Sequence, residues 1–207
     1  MKVFFLNLVL LIAISSTGQS QDSKGSAEPK STFEVKISGK TIQLSEDEVL
    51  AMDTTLVNPV ISIKLSEYKK FDNGSMSFQY PRNLSFEFEQ DFGYKNWTFS
   101  GNSLVVLVFE LDAKTTVTTL VDEMVKKFGK KNCSIEDFEK ELGHKKWTGK
   151  RLNVSLAGQK LRLDCFEIKL DDFKSRFIYF QDSLEAGANS AEYLRGFNII
   201  DSTIHFR

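Results

Sequence analysis

The chain has 207 residues and a formal net charge of -1 at pH 7, with 27 Lys and Arg against 28 Asp and Glu. A nearly neutral chain has no overall attraction to nucleic acid or to an anionic membrane, so we expect no nucleic-acid partner. Its 18 phenylalanines supply much of a core, and the length fits one domain that can bury it.

The first residues have the pattern of a secretory signal peptide. Lys2 precedes an apolar run over residues 3–14, and small residues dominate the stretch from 15 to 20. The run is shorter than the roughly 20 residues of a membrane helix, and no later segment is long and apolar enough to be a transmembrane segment. The alternative is a buried N-terminal strand or helix, which fits the pattern less well. We predict that residues 1–20 are a signal peptide and that the protein is exported, to the periplasm or as a secreted protein.

Residues 21–32 form a polar segment that contains Gly25 and Pro29. Without apolar periodicity, such a segment does not bury enough surface to order itself. We predict a flexible lead-in here, followed by a single α+β domain over residues 33–207.

The domain is predicted to begin with a hairpin and a short helix over residues 33–54. Apolar residues at 33, 35 and 37 alternate with polar ones, a turn follows at Ser38-Gly39-Lys40, and the chain returns through residues 41–44. Ser45 and Glu48, three residues apart, form a capping box, which is typical of a helix start.

The turn signal Asp72-Asn73-Gly74 precedes a stretch that predicts a half-buried strand. Met76, Phe78 and Tyr80 alternate with polar residues, so Ser77 is expected to face water, and Pro81 is expected to end the strand or lie at its edge. Residues 84–89 alternate in the same way. Residues 103–111 are continuously apolar, which predicts a central strand that is covered on both faces.

Two helices are predicted after the central strand. Apolar residues recur at helical spacing from Val117 to Phe128, and Gly129 supplies the stop. Ser134 is predicted to cap a second, shorter helix through Ile135, Phe138 and Leu142, closed by Gly143.

The last third is predicted to return to strands. Residues 150–170 alternate on both sides of an Ala157-Gly158 turn, and the apolar phase shifts by one residue at Cys165 and Phe166. Because such a shift moves the buried side chains to the other face, we predict a β-bulge there. The remaining elements are predicted as a strand over 175–180, a short helix over 188–196 and a last strand over 197–206.

This order of elements predicts an α+β fold in which two or three helices pack on a mostly antiparallel β-sheet. The stretch FDNGSMSFQYP at residues 71–81 and the closing IIDSTIHF at 199–206 resemble the PsbP-like superfamily, over roughly residues 55–207. That superfamily groups an extrinsic subunit of photosystem II with a Ran-binding nuclear import factor and many exported bacterial proteins. The resemblance implies an exported bacterial member that serves as a binding or accessory domain without a shared active site, so it assigns no functional residue.

The chain is poor in the residues of common catalytic motifs. It has two histidines, His144 and His205, and no GxSxG, HExxH or GxGxxG sequence. Residues 143–151, GHKKWTGKR, approach the phosphate-binding loop pattern, but Arg151 stands where that pattern needs Ser or Thr, and a turn between helix and strand explains them better. We expect no catalytic residue and no cofactor. The alternative function is a carboxylate-dependent extracellular hydrolase.

A metal site is not expected. Asp164, Asp171, Asp172 and His205 lie near predicted strand ends, but no calcium-loop spacing links the acids.

Cys133 and Cys165 are the two cysteines of the chain. In an exported protein they are free to form a disulfide, and the alternative is two buried thiols that behave as small apolar residues. No CxxC motif occurs, so the sequence gives no support to a redox or zinc site.

Residues 126–151 form a basic stretch with nine Lys or Arg against four Asp or Glu. Such a stretch is a candidate binding surface for an acidic protein or polysaccharide partner, and the alternative is a solvated face that keeps the domain soluble. Trp147 is a candidate aromatic anchor within it. The candidate basic residues are Lys130, Lys131, Lys145, Lys146, Lys150 and Arg151.

If export is correct, the mature protein begins near Gln19 or Gln21 and is a monomer or small oligomer. Removal of residues 1–20 takes away one lysine, which changes the net charge from -1 to -2. N-terminal sequencing of the protein recovered from periplasm or culture medium tests this prediction. An exported product that retains Met1 would contradict it.

Overall fold

A computed structural model describes residues 25–51, 58–112, 114–169 and 175–207. The predicted signal peptide lies outside these residues. Within them the fold is α+β, mostly antiparallel sheet with two helices, as the sequence predicts. Neither helix is long and apolar enough to cross a membrane.

The described residues form thirteen strands, a short 3-10 turn at Lys130–Asn132, and two helices, α1 (Val117–Phe128) and α2 (Ala191–Thr203). In chain order the strands are β1 (Thr32–Ile37), β2 (Lys40–Ser45), β3 (Ile61–Leu65), β4 (Tyr68–Asp72), β5 (Met76–Pro81), β6 (Ser85–Asp91), β7 (Tyr94–Ser100), β8 (Leu104–Leu111), β9 (Cys133–Leu142), β10 (Lys145–Leu156), β11 (Gln159–Ile168), β12 (Ser175–Ser183) and β13 (His205–Phe206).

The strands make three sheets. The main sheet has seven strands in the order β6-β7-β8-β12-β11-β10-β9, and each neighbouring pair is antiparallel. A small inner sheet has the order β13-β5-β4, and a small outer sheet has the order β2-β1-β3. The apolar run at residues 103–111 becomes β8, beside the middle strand β12, which agrees with its predicted central place.

The main sheet has a hydrophobic cluster on each face. Helix α1 covers one face, where Leu120, Val121 and Met124 pack in a cluster with side chains of β8, β10, β11 and β12. Helix α2 and the inner sheet cover the other face and contribute to the larger cluster. Helix α2 lies so close to β8 that Gly196 has no room for a side chain, because a Cβ there would overlap Leu104.

Helix α1 confirms the helix predicted from apolar spacing. The Thr116 hydroxyl accepts a hydrogen bond from the Thr119 backbone N–H at 3.2 Å, which caps the first turn. Gly129 ends the helix with a positive φ of 85°, a conformation that glycine adopts without strain.

The second predicted helix is wrong, because residues 133–142 form strand β9. Each residue from Cys133 to Leu142 pairs with β10 in an unbroken register, and a tight turn at Gly143 and His144 joins the two strands. The apolar residues 135, 138 and 142 have helical spacing, but β9 is an edge strand and most of its side chains face water. Cross-strand pairing therefore outweighs the weak local helix signal.

The predicted β-bulge is also wrong. The pairing of β11 with β10 and with β12 continues through Cys165 and Phe166 without an extra residue. Both side chains are buried because the main sheet has a cluster on each face: Cys165 packs in the α1 cluster and Phe166 in the α2 cluster. The apparent phase shift marks a strand covered on both faces.

The C-terminal elements differ from the prediction in length and type. The predicted short helix over 188–196 extends to Thr203, and the predicted last strand over 197–206 is reduced to the two residues of β13. Tyr193, Phe197 and Ile200 are buried at helical spacing, so burial against the sheet favours the helix. The hydroxyl of Ser190 caps α2 by accepting from the Tyr193 backbone N–H at 3.1 Å.

The predicted hairpin at residues 33–44 is present as β1 and β2. The Ser45 backbone N–H donates to Glu48 Oε2 at 2.9 Å, which is one half of the predicted capping box. Residues 46–51 nevertheless form a turn and irregular chain instead of a helix, and residues 52–54 lie outside the described residues.

Residues 25–31 precede β1 and contact the body of the domain. The Gly25 carbonyl accepts from Trp97 Nε1 at 2.9 Å, and Lys69 pairs with Glu28.

Strand β5 differs from the half-buried strand that its alternation predicts. Met76, Phe78 and Tyr80 are buried as expected, but Ser77 is buried as well, because β5 is the middle strand of the inner sheet. Ser77 accepts a hydrogen bond from Arg207 Nη2 at 3.4 Å.

Replacement of Phe78 by Ala should lower the free energy of unfolding by about 3 to 5 kcal/mol. The Phe78 ring is fully buried, with centroid distances of 5.0 Å to Phe71 and 5.4 Å to Phe99. The matched control is Gln79→Ala, on the same strand, because Gln79 is exposed. Urea denaturation measures both variants, and equal small effects would contradict the assigned core.

Candidate binding surfaces

The basic residues of the predicted surface are spread along one hairpin, with Lys150 and Arg151 in its middle, paired with Asp137 and Glu136. Lys130 and Lys131 precede Cys133, which pairs with Val154, whereas Lys145 pairs with Leu142 at the other end of β9. At roughly 3.3 Å per residue, the nine steps from Cys133 to Leu142 span about 30 Å. The structure therefore does not bring the six basic residues together.

Acidic residues of β9 lie opposite the basic residues of β10. Lys146 pairs in register with Glu141, and Lys150 Nζ lies 2.6 Å from Asp137 Oδ1. The positive charge that the sequence concentrates in residues 126–151 is therefore compensated in part across the hairpin, by the four acids of β9. Lys145 and Lys146 are exposed at the turn end.

Trp147, the candidate aromatic anchor, is only 6 % exposed. Its Nε1 donates to the Leu142 carbonyl at 3.0 Å, and its ring packs against Phe206 at a centroid distance of 5.0 Å. Lys145 Nζ lies 4.3 Å from the centre of the ring. Trp147 thus belongs to the core and presents little surface to a partner.

Arg151 is the partner of a buried carboxylate. Its Nε donates to Asp164 Oδ1 at 2.6 Å and its Nη2 donates to Oδ2 at 2.9 Å, in a two-point contact. Asp164 is 1 % exposed, and the Tyr193 hydroxyl of α2 donates to its Oδ2 at 3.3 Å. Burial, followed by the nearby charge of Asp164, raises the pKa of Tyr193 well above its usual value.

Lys140 extends the same polar group toward the sheet edge. Its Nζ donates to the Tyr193 hydroxyl at 3.2 Å and lies 3.4 Å from the centre of the Phe197 ring. Burial lowers the pKa of Lys140 from its ordinary value. Together Lys140, Arg151, Asp164 and Tyr193 join β9, β10 and β11 to α2, which gives this polar group a structural role.

Asp182 on β12 supports the start of α2 in a similar way. Its Oδ1 accepts from the Ser190 hydroxyl at 2.7 Å and its Oδ2 accepts from the Ser190 backbone N–H at 3.1 Å. Burial raises the pKa of the Asp182 carboxyl. Both buried carboxylates of the α2 face thus have defined structural partners, and sequence reasoning missed them because each partner lies on another element.

The two cysteines are free thiols. Cys133 pairs with Val154 and, across β10, Val154 pairs with Leu161, which is four residues from Cys165 along β11. Two strand spacings and four residues separate the thiols much farther than the roughly 7 Å limit of a disulfide. Of the two alternatives left open by the sequence, the structure has the free thiols.

Residues 143–151 are a hairpin turn followed by the first part of β10. The turn joins two strands, whereas the sequence predicted a turn from helix to strand. A phosphate-binding loop needs a strand before it and a helix N-terminus after it, and the chain supplies a strand on both sides.

The acids and histidine weighed as metal ligands are not brought together. Among the residues that the structure describes, no three of the His, Cys, Asp and Glu side chains form a group that could hold a metal ion. Asp171 and Asp172 lie outside those residues.

The outer sheet has one apolar face. Its register places Phe33 of β1 between Leu44 of β2 and Leu65 of β3, and directly opposed residues point to the same side of a sheet. Along each strand, every second side chain points to that same side. We call this surface the outer apolar face; it comprises Phe33, Val35, Ile37, Ile42, Leu44, Ile61, Ile63 and Leu65.

The opposite face of the outer sheet is polar. Glu34 lies between Gln43 and Lys64 in the register, and Lys36 Nζ lies 3.3 Å from Glu34 Oε1. Ser62 is opposite Lys36 and is exposed. The outer sheet is therefore amphipathic, like a sheet that packs one face on a core.

The outer apolar face is exposed mainly along β3, whereas Val35 and Ile37 of the middle strand β1 are buried. Neither hydrophobic cluster contains any of its side chains. Ile61 is 55 % exposed, Ile63 67 % and Leu65 37 %. Of the ten large apolar side chains that are exposed in the described part of the chain, six fall between residues 49 and 65. Such a concentration marks a surface of association in soluble proteins, because single exposed apolar residues are ordinarily scattered.

A scan against protein-family models and a search of curated proteins find no match to this chain.

Removal of the Arg151 side chain should destabilise the fold, because it leaves Asp164 buried without its cation. We expect Arg151→Met to lower the free energy of unfolding by about 3 kcal/mol.

The matched control is Lys150→Met, at the next position of β10. Its pair with Asp137 faces water, since the Asp137 side chain is 83 % exposed, so the loss should stay below about 1 kcal/mol. Chemical denaturation at pH 7 compares the two variants. A loss for Arg151→Met no larger than that of its control would contradict the structural role of the buried pair.

Proposed function

We propose that this chain is an exported, non-catalytic binding or accessory protein that acts by association through its outer apolar face. The observation that carries this proposal is the exposure of Ile61, Ile63 and Leu65 on an amphipathic sheet that lies against neither hydrophobic cluster. A partner that covered these side chains would stabilise the complex by roughly 25 cal/mol for each Å² of apolar surface removed from water.

The α+β class supports the proposal in a second way. A mostly antiparallel sheet with helices packed on it agrees, at the level of fold class, with the PsbP-like resemblance of residues 55–207. That resemblance implies a binding or accessory domain. The outer sheet lies mainly before the resembling segment, so it would be an addition that gives this chain its own contact surface.

The polar groups of the main sheet favour binding over hydrolysis as the function. A glycosidase-like site needs two carboxylates that face a substrate. Asp164 is held by Arg151 and Tyr193, and Asp182 is held by Ser190, all at the cover formed by α2. These contacts stabilise the fold and leave the outer apolar face as the surface that association would use.

The basic residues at the turn end of the β9–β10 hairpin provide the comparison surface for a test. Lys145 and Lys146 are exposed, and a contact made by them would weaken as salt rises. A contact made by the outer apolar face would be insensitive to salt or strengthened by it, because apolar burial does not depend on charge.

The test is capture by immobilised purified protein, offered both a periplasmic or culture extract and a differently tagged copy of the same chain. Ile63→Lys should lower capture of the specific partner at least about tenfold, since it forces a charge into the contact. Ser62→Lys is the matched control and should capture normally, because Ser62 is on the polar face. The double variant Lys145→Glu/Lys146→Glu should also capture normally.

Two results would overturn the proposal. One is capture that is lost in the lysine-reversal variant and falls with salt, which would assign binding to the basic stretch. The other is turnover of an oligosaccharide or ester panel that a single carboxylate substitution abolishes, which would make the protein a hydrolase.

A further inference from the structure

We propose that residues 25–31 are a displaceable strap over a peptide-binding site, and that this site takes an extended peptide with the pattern Gly-x-x-Glu. The site is formed by Lys69, Tyr80 and Trp97, between the inner sheet and the main sheet. It is separate from the outer apolar face, so the inference goes beyond the function proposed above. Three observations carry it: the polar groups that face the strap, the fit of the strap to them, and its weak attachment.

Strand β4 directs one lysine toward the core. Lys69 is opposite Tyr80 in the register of β4 and β5, and Phe71 lies two residues further along β4. Opposed residues and every second residue of a strand share one side of the sheet, so Lys69 points to the same side as these two buried rings. Its side chain is only 13 % exposed, and its ammonium pairs with Glu28 of the strap. The strap therefore supplies the counter-ion of a largely buried cation.

The Tyr80 hydroxyl has no hydrogen-bond partner among the described residues, although the side chain is fully buried. Burial, followed by the negative charge of Glu28, raises the pKa of Tyr80. The Glu28 carboxylate thus lies close enough to act on this hydroxyl. An unpaired buried hydroxyl costs stability, and an acceptor carried by a ligand would satisfy it.

Trp97 of β7 contacts the backbone of the strap. Its Nε1 donates to the Gly25 carbonyl at 2.9 Å. A Cβ at Gly25 would lie 3.2 Å from Trp97 Nε1 and 3.2 Å from the carbonyl oxygen of Asp72, at the end of β4. Gly25 also has a φ of 84°, which residues with a side chain rarely adopt. The site therefore fits a glycine carbonyl and, three residues later, the carboxylate of Glu28.

These groups match an acidic peptide in an extended conformation. Lys69 carries a positive charge, and Trp97 and Tyr80 each have a hydrogen to donate. Phe71 supplies an apolar neighbour, with its ring centroid 5.8 Å from that of Trp97. A small carboxylate would offer one acceptor group, whereas a peptide offers a backbone carbonyl together with a charged side chain. The strap sequence Gly-Ser-Ala-Glu at residues 25–28 offers both.

The strap is attached weakly enough to leave the site. Within the described residues, the backbone of residues 26–30 makes no hydrogen bond to other backbone groups. The Glu28 side chain is 57 % exposed, and in the second ion pair of the strap both Lys30 and Asp47 are exposed. Exposed ion pairs contribute little, so a segment of this kind opens locally at low cost. A tethered segment competes as if present at roughly millimolar concentration, so it keeps weak ligands out.

The test opens the strap in the full exported chain and adds the strap sequence as a separate peptide. The double variant Gly25→Val/Glu28→Lys should release the strap, because valine has no room there and lysine repels Lys69. Ala27→Lys is the matched control, because Ala27 is exposed. The probe is a fluorescently labelled peptide of residues 23–31, followed by anisotropy. The double variant should bind it at least about tenfold more tightly than the wild type and the control, whose own strap occupies the site.

Two measurements show that the strap has moved and that the fold is intact. With isotope-labelled tryptophan, the indole N–H resonance of Trp97 should shift and its exchange with water should become faster in the double variant. The indole N–H of Trp147 donates to the Leu142 carbonyl and is the internal reference, which should not change. Circular dichroism should show a folded protein. If the double variant unfolds, Glu28→Lys alone takes its place, because that side chain is more than half exposed.

Changes in the peptide test the two recognition groups. Glu28→Gln and Gly25→Val in the peptide should each weaken binding to the double variant at least about fivefold, since each removes one of the matched features. Ala27→Ser in the peptide should bind like the parent sequence. In the protein, adding Ile63→Lys should leave peptide binding unchanged, because Ile63 lies on the outer sheet.

Three results would overturn the proposal. The first is an opened variant whose Trp97 resonance does not shift, which would mean that the segment is not held as described. The second is a released strap without peptide binding, which would make the strap purely structural. The third is acetate that competes at the same concentration as the peptide, which would make the site one for small carboxylates. None of these results bears on capture through the outer apolar face, which is measured at Ile63.

Discussion

The fold depends on the need to cover both faces of a seven-stranded antiparallel sheet. Helix α1 covers one face, and helix α2 with the inner sheet covers the other, so strands β8, β11 and β12 are apolar on both sides. A sheet of this width exposes far more apolar surface than one helix covers. The rings of Phe71, Phe78 and Phe99 pack against one another because the inner sheet must fill the space that α2 leaves.

The need to cover the apolar face of a sheet also makes the outer sheet unusual. Strands β1, β2 and β3 have the alternation of a sheet with a covered face, and Val35 and Ile37 in the middle strand are buried. The outer strand β3, however, presents Ile61 and Ile63 to water. Within the described residues, the main sheet is covered twice and the outer sheet lacks a cover from either cluster. This difference is why association is the function that we propose.

Sequence patterns were reliable where the local signals agreed with one another. Helix α1 has apolar residues at helical spacing and a Gly stop that agree with each other, and its predicted bounds match. Sequence patterns failed where tertiary contacts decide the secondary structure or the buried face. At Cys165 and Phe166 two buried faces resembled a phase shift, and in β9 the partner strand outweighed a helical spacing of three apolar residues. At residues 197–203 burial of Phe197 and Ile200 against the sheet extended a helix that the β-branched residues did not suggest.

Counting charges along the sequence failed to predict the basic surface for the same reason, because tertiary contacts decide which charges lie side by side. A count along residues 126–151 finds five excess positive charges, but the register of β9 and β10 places Asp137 against Lys150 and Glu141 against Lys146. Charge along the chain is therefore a poor guide to charge on a surface when a hairpin folds a stretch onto itself. Apolar alternation has the opposite property: it identifies the face of a strand that needs cover without reference to any other element. Which molecule provides that cover depends on surfaces outside the strand, so the alternation of β3 indicates that Ile61 and Ile63 need a cover and leaves the identity of the cover to experiment.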